Sequence, residues 1–258
     1  EGEVGEPNTF GGYLLLMLAM SMALFASLDS KKVKAALLLV VCLSIVPFLL
    51  SLSRGSYLAF IPTYFTLIAL SKNKGLLISI MLLACITAPY LAPEKVVSRV
   101  TYTFSQRVQQ GQEKIGDIRL DTSTSARLRS WGRGFEAYMK RPIFGYGVTG
   151  WYFIDNQFIR VLVETGILGL TAFIFLLYSI FKEGWKVYKA TDDKLYKGIS
   201  MGLLAGLVGL VIHSLGANTF IIIRIMEPFW LLAGIVMAIP TIEAKELGRN
   251  AFYEQKLV

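Results

Sequence analysis

The side chains in this 258-residue sequence that could do chemistry are few, and most stand in or beside apolar stretches. Arg54, in SLSRGSYLAF, offers a planar fork of donors suited to a phosphate; the same residue also serves as an interfacial anchor that snorkels to headgroups. Arg127 and Arg129, in SARLRSWGRGFEAYMK, offer the same fork, or attraction to anionic lipid. Asp155 is a candidate general base, with Asn156 beside it. Arg160 and Glu164 follow one and two helical turns later, at the spacing of an ion pair buried between helices. His213, the only histidine, suits proton transfer by its pKa and packing by its apolar surroundings. Arg224 and Glu227 are expected as a second internal pair. There is no GxxxxGK, GxSxG, HExxH or paired CxxC, and the doublet Asp192-Asp193 reads as solvated, so neither a metal nor a cofactor is expected.

These residues need elements to hold them, and the composition supplies only one kind. The chain is 54% hydrophobic and 17% charged, with its apolar residues in blocks. The blocks run Phe10 to Leu28, Ala35 to Leu52, Ser56 to Leu70, Gly75 to Leu91, Phe158 to Phe181, Gly198 to Gly216 and Phe220 to Pro240. Such lengths fit a bilayer core of about 30 Å and predict an all-α, polytopic bundle of about seven transmembrane helices. The net charge of +8 would suggest nucleic acid in a soluble domain; here it divides between two membrane faces, and no nucleic-acid partner is expected. Alternate short connections hold ten Lys and Arg (between Lys31 and Lys34, Lys72 and Lys74, Lys182 and Lys197), whereas the others hold only Arg54. This asymmetry puts the lysine-rich turns in the cytoplasm, and the Arg54 turn, the N-terminus and the Asn218 turn outside. Cys42 and Cys85, inside apolar blocks, are expected buried as small hydrophobes.

The expected organisation is four helices over 1–91, an extracytoplasmic loop over 92–157, three helices over 158–240 and a cytoplasmic tail over 241–258. The loop carries ten Lys and Arg against six acidic residues, a bias that the positive-inside rule ignores in long loops. Within Ser125 to Lys140, Leu128, Trp131, Phe135 and Tyr138 recur at three and four, which predicts an amphipathic helix with Ser123, Thr124 or Ser125 as N-cap and Pro142 closing it. Gly145, Gly147 and Gly150 predict a tight, non-helical connection reaching the bilayer surface. The sequence opens on Glu1 and has no Lys or Arg in its first thirty residues, so it is expected to be the C-terminal part of a longer chain.

VGEPNTFGGYLL, SLSRGSYLAF, SARLRSWGRGFEAYMKRPIFGYG and DNQFIRVLVETGILGL, in this order and with the long loop before the last, resemble the O-antigen ligase and O-antigen polymerase superfamily of bacterial envelopes. The resemblance implies a plasma-membrane glycosyltransferase with its site facing the periplasm or cell exterior. It implies a donor glycan linked to undecaprenyl diphosphate and an acceptor that is lipid A core or another carrier-linked glycan. Ser53-Arg54 matches the family's hairpin arginine, and Arg127 matches its loop arginine. Family ligases usually carry His-Asn where this chain has Asp155-Asn156, which leaves polymerase or another acceptor class open.

On this reading Arg54 and Arg127, with Arg129 as understudy, grip the diphosphate without a metal, and Asp155 is the base. Trp131 and Tyr138 face sugar or headgroup, and Asn156, Arg160 and His213 complete the substrate-binding set. One base and one stabilised leaving group imply inversion at the anomeric carbon. A polysaccharide or lipid-linked glycan transporter is the rival; it would show repeated halves and broken helices at the midplane, whereas the charges here gather at one surface and no repeat is present. A scaffold whose basic loop binds anionic lipid is the third reading.

Overall fold

The computed structural model describes residues 6–91, 93–105, 112–115 and 118–256. The chain start from Glu1, the first two residues of the VGEPNTFGGYLL stretch, part of the expected loop and the last two residues of the expected tail lie outside the described residues. Each of the seven apolar blocks forms a helix: α1 Pro7–Ser27, α2 Lys31–Leu50, α3 Arg54–Leu70, α4 Lys74–Leu91, α7 Gln157–Ala190, α8 Lys194–His213 and α9 Ile223–Lys256. The expected loop holds α5 Glu94–Ser105, a two-residue antiparallel pair (β1 Lys114–Ile115 with β2 Ile118–Arg119) and α6 Thr122–Lys140. Five helices, α1, α2, α7, α8 and α9, are long and apolar enough to cross a membrane. With 17 residues, α3 spans only about 26 Å.

The centre of the bundle is α8, packed on α1 and α3. Where hydrocarbon replaces water on the outside, close van der Waals contact must do what burial does in soluble proteins. The sequence supplies it with glycines at every fourth position of α8. A Cβ at Gly198, Gly202 or Gly206 would press on α1 at 3.0, 2.8 and 2.7 Å, against Leu24, Met20 and Leu16. Buried Leu15, Leu16, Leu18, Leu203, Leu207 and Phe229 fill the core beside this seam. The periphery is different: in α2 only Phe48 is buried. Cys42 of α2 and Cys85 of α4 are free and exposed, not buried as expected; each lies on an outward face of a peripheral helix, where apolar character suits lipid as well as core.

The two ends of the bundle gather different turns. At one end Lys194 pairs with Asp29, Asn73 donates to the Ala26 carbonyl (3.2 Å) and the Tyr188 hydroxyl reaches the Leu70 carbonyl, which collects the three lysine-rich turns. At the other end lie the start of α1, the α2–α3 turn, the loop and the α8–α9 connection.

The structure departs from the expected elements at four places. α6 begins earlier than expected, with Asp121 as its N-cap in place of Ser123, Thr124 or Ser125. The segment after Thr241 continues α9 as helix up to Lys256. α5, a short amphipathic helix with Val96 buried, was not foreseen. α7 is two helices merged across Gly166, whose φ of 67° and ψ of −167° belong to a region open only to glycine. The break leaves backbone groups without helical partners, and the PIFGYG turn supplies them. Tyr146 and Gly147 donate to the Val163 and Glu164 carbonyls (3.0 and 2.8 Å), and Ile167 donates to the Pro142 carbonyl (2.8 Å). The glycine-rich turn is thereby fastened to a membrane-length helix.

Candidate active site

The α2–α3 turn is built from serines. Ser51 Oγ donates to the Phe48 carbonyl (2.7 Å), and Leu52 takes a φ of 55° to turn the chain. Ser53 then caps α3, accepting from the Ser56 amide (3.3 Å) and donating to Asn8 Oδ1 of α1 (2.8 Å). Arg54 is therefore the first residue of α3. A cation there faces the positive end of the helix dipole, an unfavourable place of the order of 0.3–1 kcal/mol, so the helix gains nothing from it.

What holds Arg54 there is Asp121. The two form an ion pair through Nη1, with Nη2 at 3.5 Å from the second oxygen. Asp121 is buried and also accepts from the Thr124 amide (2.9 Å) and hydroxyl (3.2 Å), so one carboxylate starts α6 and fixes it over α3. Burial pushes its pKa up, but the Arg54 and Thr124 bonds outweigh burial and hold it below the usual carboxylate range.

One and a half turns into α6, Arg127 Nε lies 3.6 Å from Asp155 Oδ2, with the two side chains 29% and 31% exposed, so both remain reachable from outside. Trp131 donates to the Asp155 carbonyl at 3.4 Å. Trp131 and Tyr138 lie around buried Ala137, Ile154 and Val163, which makes them part of the packing between α6 and the chain that leads to Asp155. Gly134 lets that chain approach; a Cβ there would press on Ile154 at 2.8 Å. Phe135, expected on the same face, is 55% exposed instead.

Asn156 caps α7 through the Phe158 and Ile159 amides, both at 3.0 Å. It also ties α7 to the α8–α9 connection, donating to the Leu215 carbonyl (3.0 Å). The Gln157 amide donates to Ser214 (3.0 Å), Asn218 donates to the Ile154 carbonyl (2.9 Å), and Gln157 Oε1 accepts from Phe220 (3.1 Å). Four bonds thus hold the backbone on both sides of Asp155. His213, at the end of α8, is 1% exposed, with Nδ1 2.8 Å from Thr219 Oγ1 and its ring against Gly12 of α1. Its Nε2 has no hydrogen-bond partner among the described residues.

The remaining candidates fall away from this centre. Arg160 and Glu164 form the expected i,i+4 pair at 2.9 Å, and Glu164 also accepts from the Thr149 amide (3.2 Å). Arg129 turns outward and meets Glu113 at 3.5 Å. Arg224 and Glu227 are not an internal pair: both are exposed, neither has an ion-pair partner among the described residues, and they line a cleft of about 630 Å³ with Phe10 and Tyr13 of α1.

One end of the bundle therefore brings Arg54, Asp121, Arg127, Asp155 and His213 together from α3, the loop and α8. The O-antigen ligase family profile matches residues 38–174, more than half of the chain. The chain belongs to the O-antigen ligase family. With five membrane-length helices, this O-antigen ligase family member is a multi-pass membrane protein of the ligase type. The matched stretch contains Arg54, Asp121, Arg127 and Asp155, while His213, Arg224 and Glu227 lie beyond it. No curated protein matches the chain. Sequence reasoning missed Asp121, Gln157 and Asn218; the first was signalled only by its place one residue ahead of a Thr-Ser-Thr-Ser helix start.

Proposed function

We propose that this protein is a glycosyltransferase that moves a glycan from an undecaprenyl-diphosphate carrier to a hydroxyl of an acceptor glycan, at a site facing the periplasm or cell exterior. The bundle crosses the plasma membrane seven times, with the lysine-rich end in the cytoplasm. The observation that carries the reading is the pairing of Arg127 with the reachable carboxylate of Asp155 on the same loop helix whose N-cap, Asp121, holds Arg54, in a chain of this family.

The chemistry follows from charge. The acceptor O–H gives its proton to the Asp155 carboxylate while its oxygen attacks the anomeric carbon. The bond from that carbon to the diphosphate oxygen breaks, and the undecaprenyl diphosphate leaves with the electron pair. Arg54 and Arg127 stabilise the charge that develops on it, the kind of interaction that counts most when it strengthens in the transition state. One displacement inverts the anomeric centre; isolation of a covalent glycosyl-enzyme would contradict this.

Arg127 couples the two halves of the step. It lies against Asp155, and a bound diphosphate draws the guanidinium toward itself, which leaves the carboxylate free to meet the acceptor hydroxyl. His213, buried against Gly12 of α1 and 2.8 Å from Thr219 Oγ1, supports this centre from beneath. Trp131 and Tyr138 hold α6 over the site, and Asn156 and Arg160 fix the chain around Asp155.

The test is transfer by the purified full-length protein between a synthetic undecaprenyl-diphosphate glycan and an acceptor glycan. Product together with released undecaprenyl diphosphate is expected. Folded protein that makes no product but moves the carrier-linked glycan across liposomes would establish the transporter instead.

A further inference from the structure

Beyond Asp155 the loop forms a second concavity, of about 360 Å³, that the reaction above does not use. One wall is a stripe of α6 in which Arg133, Glu136 and Lys140 recur at three and four residues. None of the three has an ion-pair partner among the described residues, although Glu136 and Lys140 are spaced for one. The other wall is the chain that runs into Asp155: Trp151, Tyr152 and Phe153, the last two 83% and 69% exposed.

We infer that this groove binds the acceptor saccharide chain and delivers its terminal hydroxyl to Asp155. The inference rests on the function proposed above. Its chemistry is that of a sugar site: rings offer a flat surface to the apolar face of a pyranose, while a carboxylate and two cations exchange hydrogen bonds with vicinal hydroxyls. The size is in the range of small-ligand sites. Position selects the acceptor over the donor. Along α6 come first Asp121 with Arg54, then Arg127 with Asp155, then Glu136, nine residues or about 14 Å beyond Arg127. The diphosphate end and the groove thus lie on opposite sides of Asp155. A displacement requires the nucleophile to arrive opposite the leaving group, which is the groove side. A carboxylate at the middle of the groove also disfavours an anionic lipid surface as its occupant.

The experiment uses the full-length protein in nanodiscs, with Tyr152→Ala and Glu136→Gln variants whose thermal midpoints match wild type. The acceptor probe is a set of oligosaccharides released from the host's own surface polysaccharide, and binding is read by saturation-transfer NMR alongside steady-state transfer. The expected result is a rise of about tenfold in acceptor KM, donor KM within twofold, and loss of the saturation-transfer signal. A raised donor KM with unchanged acceptor KM would assign the groove to the donor glycan and overturn the proposal. Unchanged transfer and binding, with weakened association of the loop with lipid, would make it a membrane contact and overturn it too. Wild-type protein that binds the oligosaccharides in this groove yet transfers nothing would sink the transferase reading alone.

Discussion

Arg54 and Asp121, 67 residues apart in the chain, join the first residue of α3 to the N-cap of α6. The α2–α3 turn is thereby fixed to the loop helix that carries Arg127, so the two arginines keep a set relation.

Asp121→Asn separates the two duties of this residue, because asparagine caps a helix as well as aspartate does but brings no charge. The expected loss is about 1.5–3 kcal/mol at neutral pH, seen as a lower thermal midpoint. The pKa of Asp121 is depressed in the fold, so its contribution is full above the unfolded carboxylate value of about 3.9 and is lost as the pH falls through the lower folded value. The gap in midpoint between wild type and variant should stay constant from pH 7 to about 5 and close in stronger acid. A gap that closes near pH 6 would mean that another group controls the docking.

Gly166→Ala tests the stitched break in α7. A Cβ there is strained by the backbone and collides with the Ile143 carbonyl oxygen. At a cost of about 1–3 kcal/mol or more, the 142–147 turn should detach, with faster proteolysis of the loop and lower transfer. Gly234→Ala, with nothing within 4 Å of the new atom, is the control and should behave as wild type. Equal protease resistance in the two variants would refute the structural role of the break.

Asp155→Asn removes the proposed base and should lower kcat by about 10²–10⁴. Asp155→His puts an imidazole in place of the carboxylate. Because a base works only when deprotonated, the acid limb of the pH–rate profile should move up toward the imidazole value of about 6.5. A profile that does not move between aspartate and histidine would show that residue 155 does not take the proton.

The membrane helices were legible in the sequence because their signal is local: apolar blocks of near-bilayer length, separated by lysines. So was the gathering of unusual charges at one end, since alternation alone puts Arg54, Asp155 and His213 on the same side. The Arg54–Asp121 pair was not, because periodicity carries no information on contacts between distant segments. Gly166 was hidden for another reason: an apolar run reads the same whether its helix is continuous or broken, and only the partner turn, with Gly145 and Gly147, reveals the difference. The outward faces of Cys42 and Cys85 were misread because a bilayer makes lipid exposure and burial look alike in composition. Arg224 and Glu227 had the spacing of a pair, but spacing permits a contact and does not compel one.

A guanidinium fork at Arg54 that grips the diphosphate together with Arg127 cannot be replaced by another cation, and Arg54→Lys measures this. Lysine keeps the charge but cannot make two parallel bonds to a phosphate. Measured as transfer from the undecaprenyl-diphosphate donor by folded, full-length protein, kcat is expected to fall about a hundredfold. Near-normal product from the lysine variant would contradict it.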